Sequence, residues 1–201
     1  MGVYKLSAAG GIATPRTNYS SFLAGNPKFV DTAYESIATS TVGSGGSSTI
    51  TFSSIPSGFK HLQIRAIARL SQATTDENAL IRFNSDTSSN YNSHYLFGDG
   101  NSADAGGGAS STTMLAFRLT GSSSGANIFG VGVMDILDYD NTNKNKVART
   151  ITGHDQNGSG FVFYWSGLWR STNAITSIDI TTTSSSFVQY SQFALYGIKG
   201  S

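Results

Sequence analysis

His61-Leu62-Gln63-Ile64-Arg65-Ala66-Ile67-Ala68-Arg69-Leu70 sets Leu62, Ile64, Ala66, Ala68 and Leu70 on one side of an extended chain and Gln63, Arg65 and Arg69 on the other. Successive side chains of a strand point to opposite faces, so this stretch predicts a strand buried on one side and polar on the other. Before it, residues 47–52 form a shorter strand, closed by the turn Ile55-Pro56-Ser57-Gly58. After it, Ala79, Ile81 and Phe83 repeat the alternation, and Asn84 to Asn90 is a loop rich in Ser, Asn and Asp. Leu115, Phe117 and Leu119 point together, and residues 128–137 form a long apolar strand interrupted by Gly130 and Gly132. Glycine inside a strand marks a bulge or a close backbone approach. Residues 147–151, 160–168, 175–181 and 191–198 continue the series.

Turn residues recur roughly every 8 to 12 positions, the spacing of a sandwich or barrel. About ten strands are expected, enough for an all-β, antiparallel two-sheet sandwich of jelly-roll type. No window has helical periodicity, and residues 99–111 read as a Gly/Ala/Ser loop. No fixed-period repeat indicates a propeller or solenoid.

Composition narrows the function classes. The 201 residues contain no cysteine, which excludes a disulfide framework and thiolate chemistry. Thirteen basic and twelve acidic residues give a net charge of +1, with no broad field to hold nucleic acid. Charged residues make up 12% of the chain, so the polarity comes from Ser, Thr, Asn and Gly. No apolar run approaches the roughly 20 residues of a membrane span. The beginning reads without a secretory leader, and Leu6 stands where a myristoylation signal wants Ser or Thr.

Residues 1–34 differ from the rest. Gly10-Gly11, Thr14-Pro15-Arg16 and Gly25-Asn26-Pro27 break the segment too often for a long element. Tyr4, Leu6, Ile12, Tyr19, Phe22, Leu23, Phe29 and Tyr34 nevertheless give it more apolar groups than a solvated tail carries. The division expected is an extended N-terminal anchoring or clasping arm over residues 1–34 and a β-sandwich over residues 35–201. Tyr4, Leu6, Tyr19, Phe22, Leu23 and Phe29 are the arm's candidate contacts, made either across its own body or on a neighbour.

Candidate chemistry is sparse. His61, His94 and His154 are isolated, without the spaced partners of a zinc site, and no Gly-x-Ser-x-Gly elbow accompanies the many Ser and Asp residues. Asp135, Asp138 and Asp140, with Asn141 and Asn143, have the oxygen density of a calcium loop. They lack its Gly and distal Glu, and Lys144 and Lys146 oppose a cation, so a capped turn is the favoured reading. Paired carboxylates for glycoside hydrolysis would have to come from the same region. Phe161, Phe163, Trp165 and Trp169 alternate onto one face, which makes them core; exposed, they would form a platform for sugar rings. Arg65, Arg69, Arg82, Arg118 and Arg149 fall opposite the main apolar set, as a solvated exterior or a subunit seam.

The wording Tyr34-Glu35-Ser36-Ile37, Thr49-Ile50-Thr51-Phe52-Ser53-Ser54-Ile55-Pro56, Phe59-Lys60-His61-Leu62-Gln63-Ile64-Arg65, Arg82-Phe83-Asn84-Ser85-Asp86, Asn90-Tyr91 and Phe193-Ala194-Leu195-Tyr196-Gly197-Ile198 resembles a family of small virion structural proteins of tailed bacteriophages, fibre-like, tail or capsid-surface components. The resemblance implies a jelly-roll-like body, a homotrimer, attachment to other virion proteins through the arm, and a place on the virion surface after assembly in the host cytoplasm. It brings no catalytic or ligand motif. The expectation is therefore a non-enzymatic structural protein without cofactor or metal, with no nucleic acid or membrane insertion, and with a host-surface glycan as a further partner. The rival readings are a free carbohydrate-binding module and, more remotely, a polysaccharide-degrading enzyme.

Overall fold

The alternation at residues 61–70 becomes a strand at the centre of the larger of two sheets, with Leu62, Ile64, Ala66 and Ala68 buried. The computed structural model describes residues 33–200. These form twelve strands: β1 (Tyr34–Thr41), β2 (Thr49–Phe52), β3 (His61–Ala68), β4 (Asp76–Phe83), β5 (Tyr91–Gly98), β6 (Ala103–Ser111), β7 (Met114–Thr120), β8 (Gly130–Leu137), β9 (Lys146–Asp155), β10 (Gly160–Trp169), β11 (Ile178–Thr182) and β12 (Gln192–Ile198). All ladders between them are antiparallel, and no described residue is helical. The chain is an all-β, two-sheet sandwich.

The large sheet runs β1-β12-β3-β8-β9-β10-β5-β6 and the small one β2-β11-β4-β7. Without β5, β6, β9 and β10, eight strands remain, and each successive one lies in the opposite sheet except β4 and β7, which pair with each other. They order as first, eighth, third, sixth against second, seventh, fourth, fifth, the winding expected of a jelly roll. The four inserted strands double the width of the large sheet. β7 packs beneath β8, β9 and β10 and reaches the start of β5, where the Leu115 amide donates to Ser93 Oγ, so the rest of β5 and β6 project beyond the edge of the small sheet.

Between the sheets lie Leu62, Ile64, Ile81, Phe83, Phe117, Leu119, Ile136, Ile178, Ile180, Phe187, Phe193 and Leu195, all fully buried. Gly132 belongs to this packing, because a Cβ there would lie 2.4 Å from the Phe117 ring. The close approach expected at the glycines of residues 128–137 is therefore made by an aromatic ring at Gly132, and by the backbone of Leu119 and Thr120 at Gly130. At one edge Tyr34 pairs with Ile198, and the Lys199 amide donates to Ala33 O at 3.0 Å, so the described chain enters and leaves side by side.

Three expectations change. Residues 99–111 are not a loop: β6 covers Ala103–Ser111, but it is solvent-exposed on nearly its whole length and has no burial period to betray it. Pairing with β5 creates this strand, and Gly106 and Gly107 accept the rings of Tyr95 and His94, which approach to 2.7 and 2.5 Å of where Cβ atoms would stand. The strand expected over residues 147–151 is longer than its apolar run, since β9 continues to Asp155. Tyr34, read as the end of the arm, is the first residue of β1; Tyr4, Leu6, Tyr19, Phe22, Leu23 and Phe29 lie outside the described residues.

Candidate functional site

The outer face of the large sheet, turned away from the core, is unusual for a surface. Cross-strand register aligns Arg65, Val133, Ile151, Tyr164 and Leu96 in one row over β3, β8, β9, β10 and β5. The adjacent row is Ile67, Val131, Gly153, Val162 and Gly98. Ile151, Val162 and Leu96 are 55–57% exposed, and Ile67, Val131 and Tyr164 about half. Gly153 and Gly98 carry no side chain into their row, which opens a groove of about 820 Å³ between Val131, Ile151 and Val162.

A polar row borders this apolar field. Gln63 Nε2 donates to Asp135 Oδ1 at 2.9 Å, Arg65 Nε donates to Gln63 Oε1 at 2.9 Å, and Arg149 Nε stands 3.6 Å from Asp135 Oδ2. Arg65 also lies over the rings of Tyr196 and Tyr34, at 5.2 and 5.7 Å. Beyond that row Leu137, Val147 and Leu168 form another apolar line, with Val147 44% exposed.

Of the five arginines read as a seam, Arg65 and Arg149 share this face. Arg69 is consumed within the chain: its guanidinium donates to the carbonyls of Ser122, Ser124, Gly125 and Ile128 and fixes that loop. Arg82 donates to Thr112 O on the small sheet, and Arg118 pairs with Asp76 and Asn78 beside the edge strand β7. The structure brings two of the five together.

No protein-family model, curated protein or solved structure matches the chain.

The acidic turn is a network of salt bridges. Asp138 receives Lys144 and, at 2.7 Å, Lys60, which together hold its carboxyl down to about 2. Lys146 is fully buried and donates to Asn141 O, Lys144 O and Thr172 O at 2.7 to 3.0 Å. Its ammonium thus sits among oxygens that a bound cation would otherwise draw together. Asp135 faces the other way, toward Gln63 and Arg149. Among the described residues no group of three or more His, Asp or Glu side chains is arranged to hold a metal.

The aromatic strand divides between two environments. Trp169 is 2% exposed and packs with Phe83 and Tyr91 in the main core. Phe163 and Trp165 are also buried, but they stack on each other at 5.1 Å outside that core, with Phe97 on Phe163 at 4.8 Å and Tyr95 against Trp165 at 5.3 Å. These rings line the inner side of the projecting strands and, with Phe161, Asp76, Asn78 and Arg118, bound a cleft of about 590 Å³.

The sequence held a signal for the outer apolar field. In β8 both phases of the alternation are apolar, Val131 and Val133 outward against Met134 and Ile136 inward. A strand apolar in both phases belongs in a sheet covered on both faces.

Proposed function

We propose that the chain is a non-enzymatic structural component of a tailed-phage virion that associates with copies of itself through the outer face of its large sheet. The observation that carries this reading is the pair of exposed apolar rows. Six side chains of these rows, Ile67, Leu96, Val131, Ile151, Val162 and Tyr164, are each between 46% and 57% exposed on one face. Together they present on the order of 600 Å² to water, the upper end for the largest patch of a typical monomer and most of the roughly 800 Å² that one partner gives a standard interface.

The bordering charges suit a second copy. Asp135 and Arg149 place both signs on the same face, so around a three-fold axis Asp135 of one copy can meet Arg149 of the next. A homotrimer held by this face, with residues 1–34 as its tether to other virion proteins, accords with the family that the sequence resembles. A cysteine-free sandwich with a neutral, hydroxyl-rich surface accords with it as well.

Sedimentation tests the assembly. The full-length protein is expected to sediment as a trimer, and Ile151→Lys with Tyr164→Lys as a folded monomer. A monomeric parent at tens of micromolar would sink the proposal. Antibody against the chain should label intact particles of the phage that encodes it, and absence of the chain from purified particles would remove the virion assignment.

A further inference from the structure

The cleft under β5 and β10 has features that the core does not need. Three of its rings, Tyr95, Phe97 and Phe161, remain partly exposed over the buried pair Phe163 and Trp165. Its opposite wall is polar: Asn78 Oδ1 accepts from Arg118 Nη1 at 3.2 Å, and Asp76 accepts from the same guanidinium. Arg118 also lies over the Phe163 ring at 5.6 Å, joining the two walls. A volume of about 590 Å³ with aromatic lining and a few fixed polar groups has the proportions of a small-molecule site.

The Trp165 indole Nε1 is buried in this lining without a partner, and His154 Nε2 lies 2.7 Å from the Gln156 side-chain amide. The cleft carries no net positive charge, since the Asp76 carboxylate meets the Arg118 charge, Asp99 adds a second carboxylate and burial lowers the His154 pKa.

We propose that this cleft binds a neutral pyranose ring of a glycan, with its C–H face on Phe97 and Phe161 and its hydroxyls toward Asn78 and Asp76. Aromatic stacking beside a fixed carboxylate and amide suits a molecule that is apolar on its faces and hydroxylated at its rim. An anionic ligand would meet no free positive charge there. The inference stands whether or not the chain belongs to a virion.

Saturation-transfer NMR on the full-length protein with chitobiose, maltose and lactose, and with 3′-sialyllactose as the charged comparison, is the test. Saturable binding of at least one neutral disaccharide is expected, with a Kd near ~1 mM. Phe97→Ala should weaken it about tenfold and Asn78→Ala at least threefold, at unchanged melting temperature. Should Phe97→Ala fail to fold, Asn78→Ala decides. No saturable binding up to about ten times that concentration, binding indifferent to the folded variants, or tighter binding of the sialylated sugar than of every neutral one would each overturn the proposal.

Discussion

Trp169 and Asp86, 83 positions apart, are joined by a hydrogen bond in which the indole Nε1 donates to Oδ2 at 2.8 Å. The same carboxylate accepts from Asn90 Nδ2 and the Ser88 amide, so one loop residue ties the 84–90 turn to the end of β10. These donors, Asn90 first and then Trp169, hold the Asp86 carboxyl far below the usual range. Tyr91, stacked on Trp169, accepts from the Phe83 amide at 3.0 Å, and burial pushes its hydroxyl up to about 12.

Replacing Asp86 by Ala strands a buried indole N–H and frees the turn. The expected loss is about 2–3 kcal/mol in urea unfolding. Because the folded-state pKa is depressed, the contribution is complete above pH 4 and fades as acid protonates the carboxylate. The gap between parent and variant should narrow below pH 3; a gap constant from pH 7 to pH 2 would contradict this account.

Lys146→Met keeps the buried stem and deletes the donor to three carbonyls. Destabilisation of about 2–4 kcal/mol is expected, because those acceptors stay buried without a partner. A variant as stable as the parent would show that water replaces the ammonium without cost.

Gly132→Ala drives a Cβ into the Phe117 ring between the sheets. Overpacking of this kind costs about 1–3 kcal/mol. Combining it with Phe117→Leu should recover part of the loss, and strict additivity of the two changes in thermal unfolding would rule out the contact as the cause.

His154 makes stability depend on pH near neutrality. Burial lowers its pKa from the ordinary 6.5, so between the folded and unfolded values the unfolded chain binds the extra proton. Stability is then intact above pH 6.5 and falls as pH drops. His154→Gln should flatten the unfolding free energy between pH 7 and pH 5, while a slope identical to the parent's would assign it to other groups.

Strands with one buried face were legible because burial imposes a period of two, as with Leu62, Ile64, Ala66 and Ala68. β6 was not, because its neighbour imposes its structure and its own glycines record only the rings of Tyr95 and His94. The five arginines looked equivalent in sequence, yet Arg69 ends among four loop carbonyls and Arg118 against Asp76 and Asn78 of β4, outcomes decided by residues more than 30 positions away. The aromatic cleft was half visible. Alternation grouped Phe161, Phe163 and Trp165, but Tyr95 and Phe97 join them only through the pairing of β5 with β10.

The pairing of Tyr34 with Ile198 puts entry and exit of the sandwich at one margin of the large sheet, while β5 and the aromatic cleft lie toward the opposite margin. Six strand spacings separate β1 from β5, roughly 29 Å at the usual interval. A tether joined to β1 or β12 would hold the domain at one margin, like a flag on its mast, with the cleft at the other.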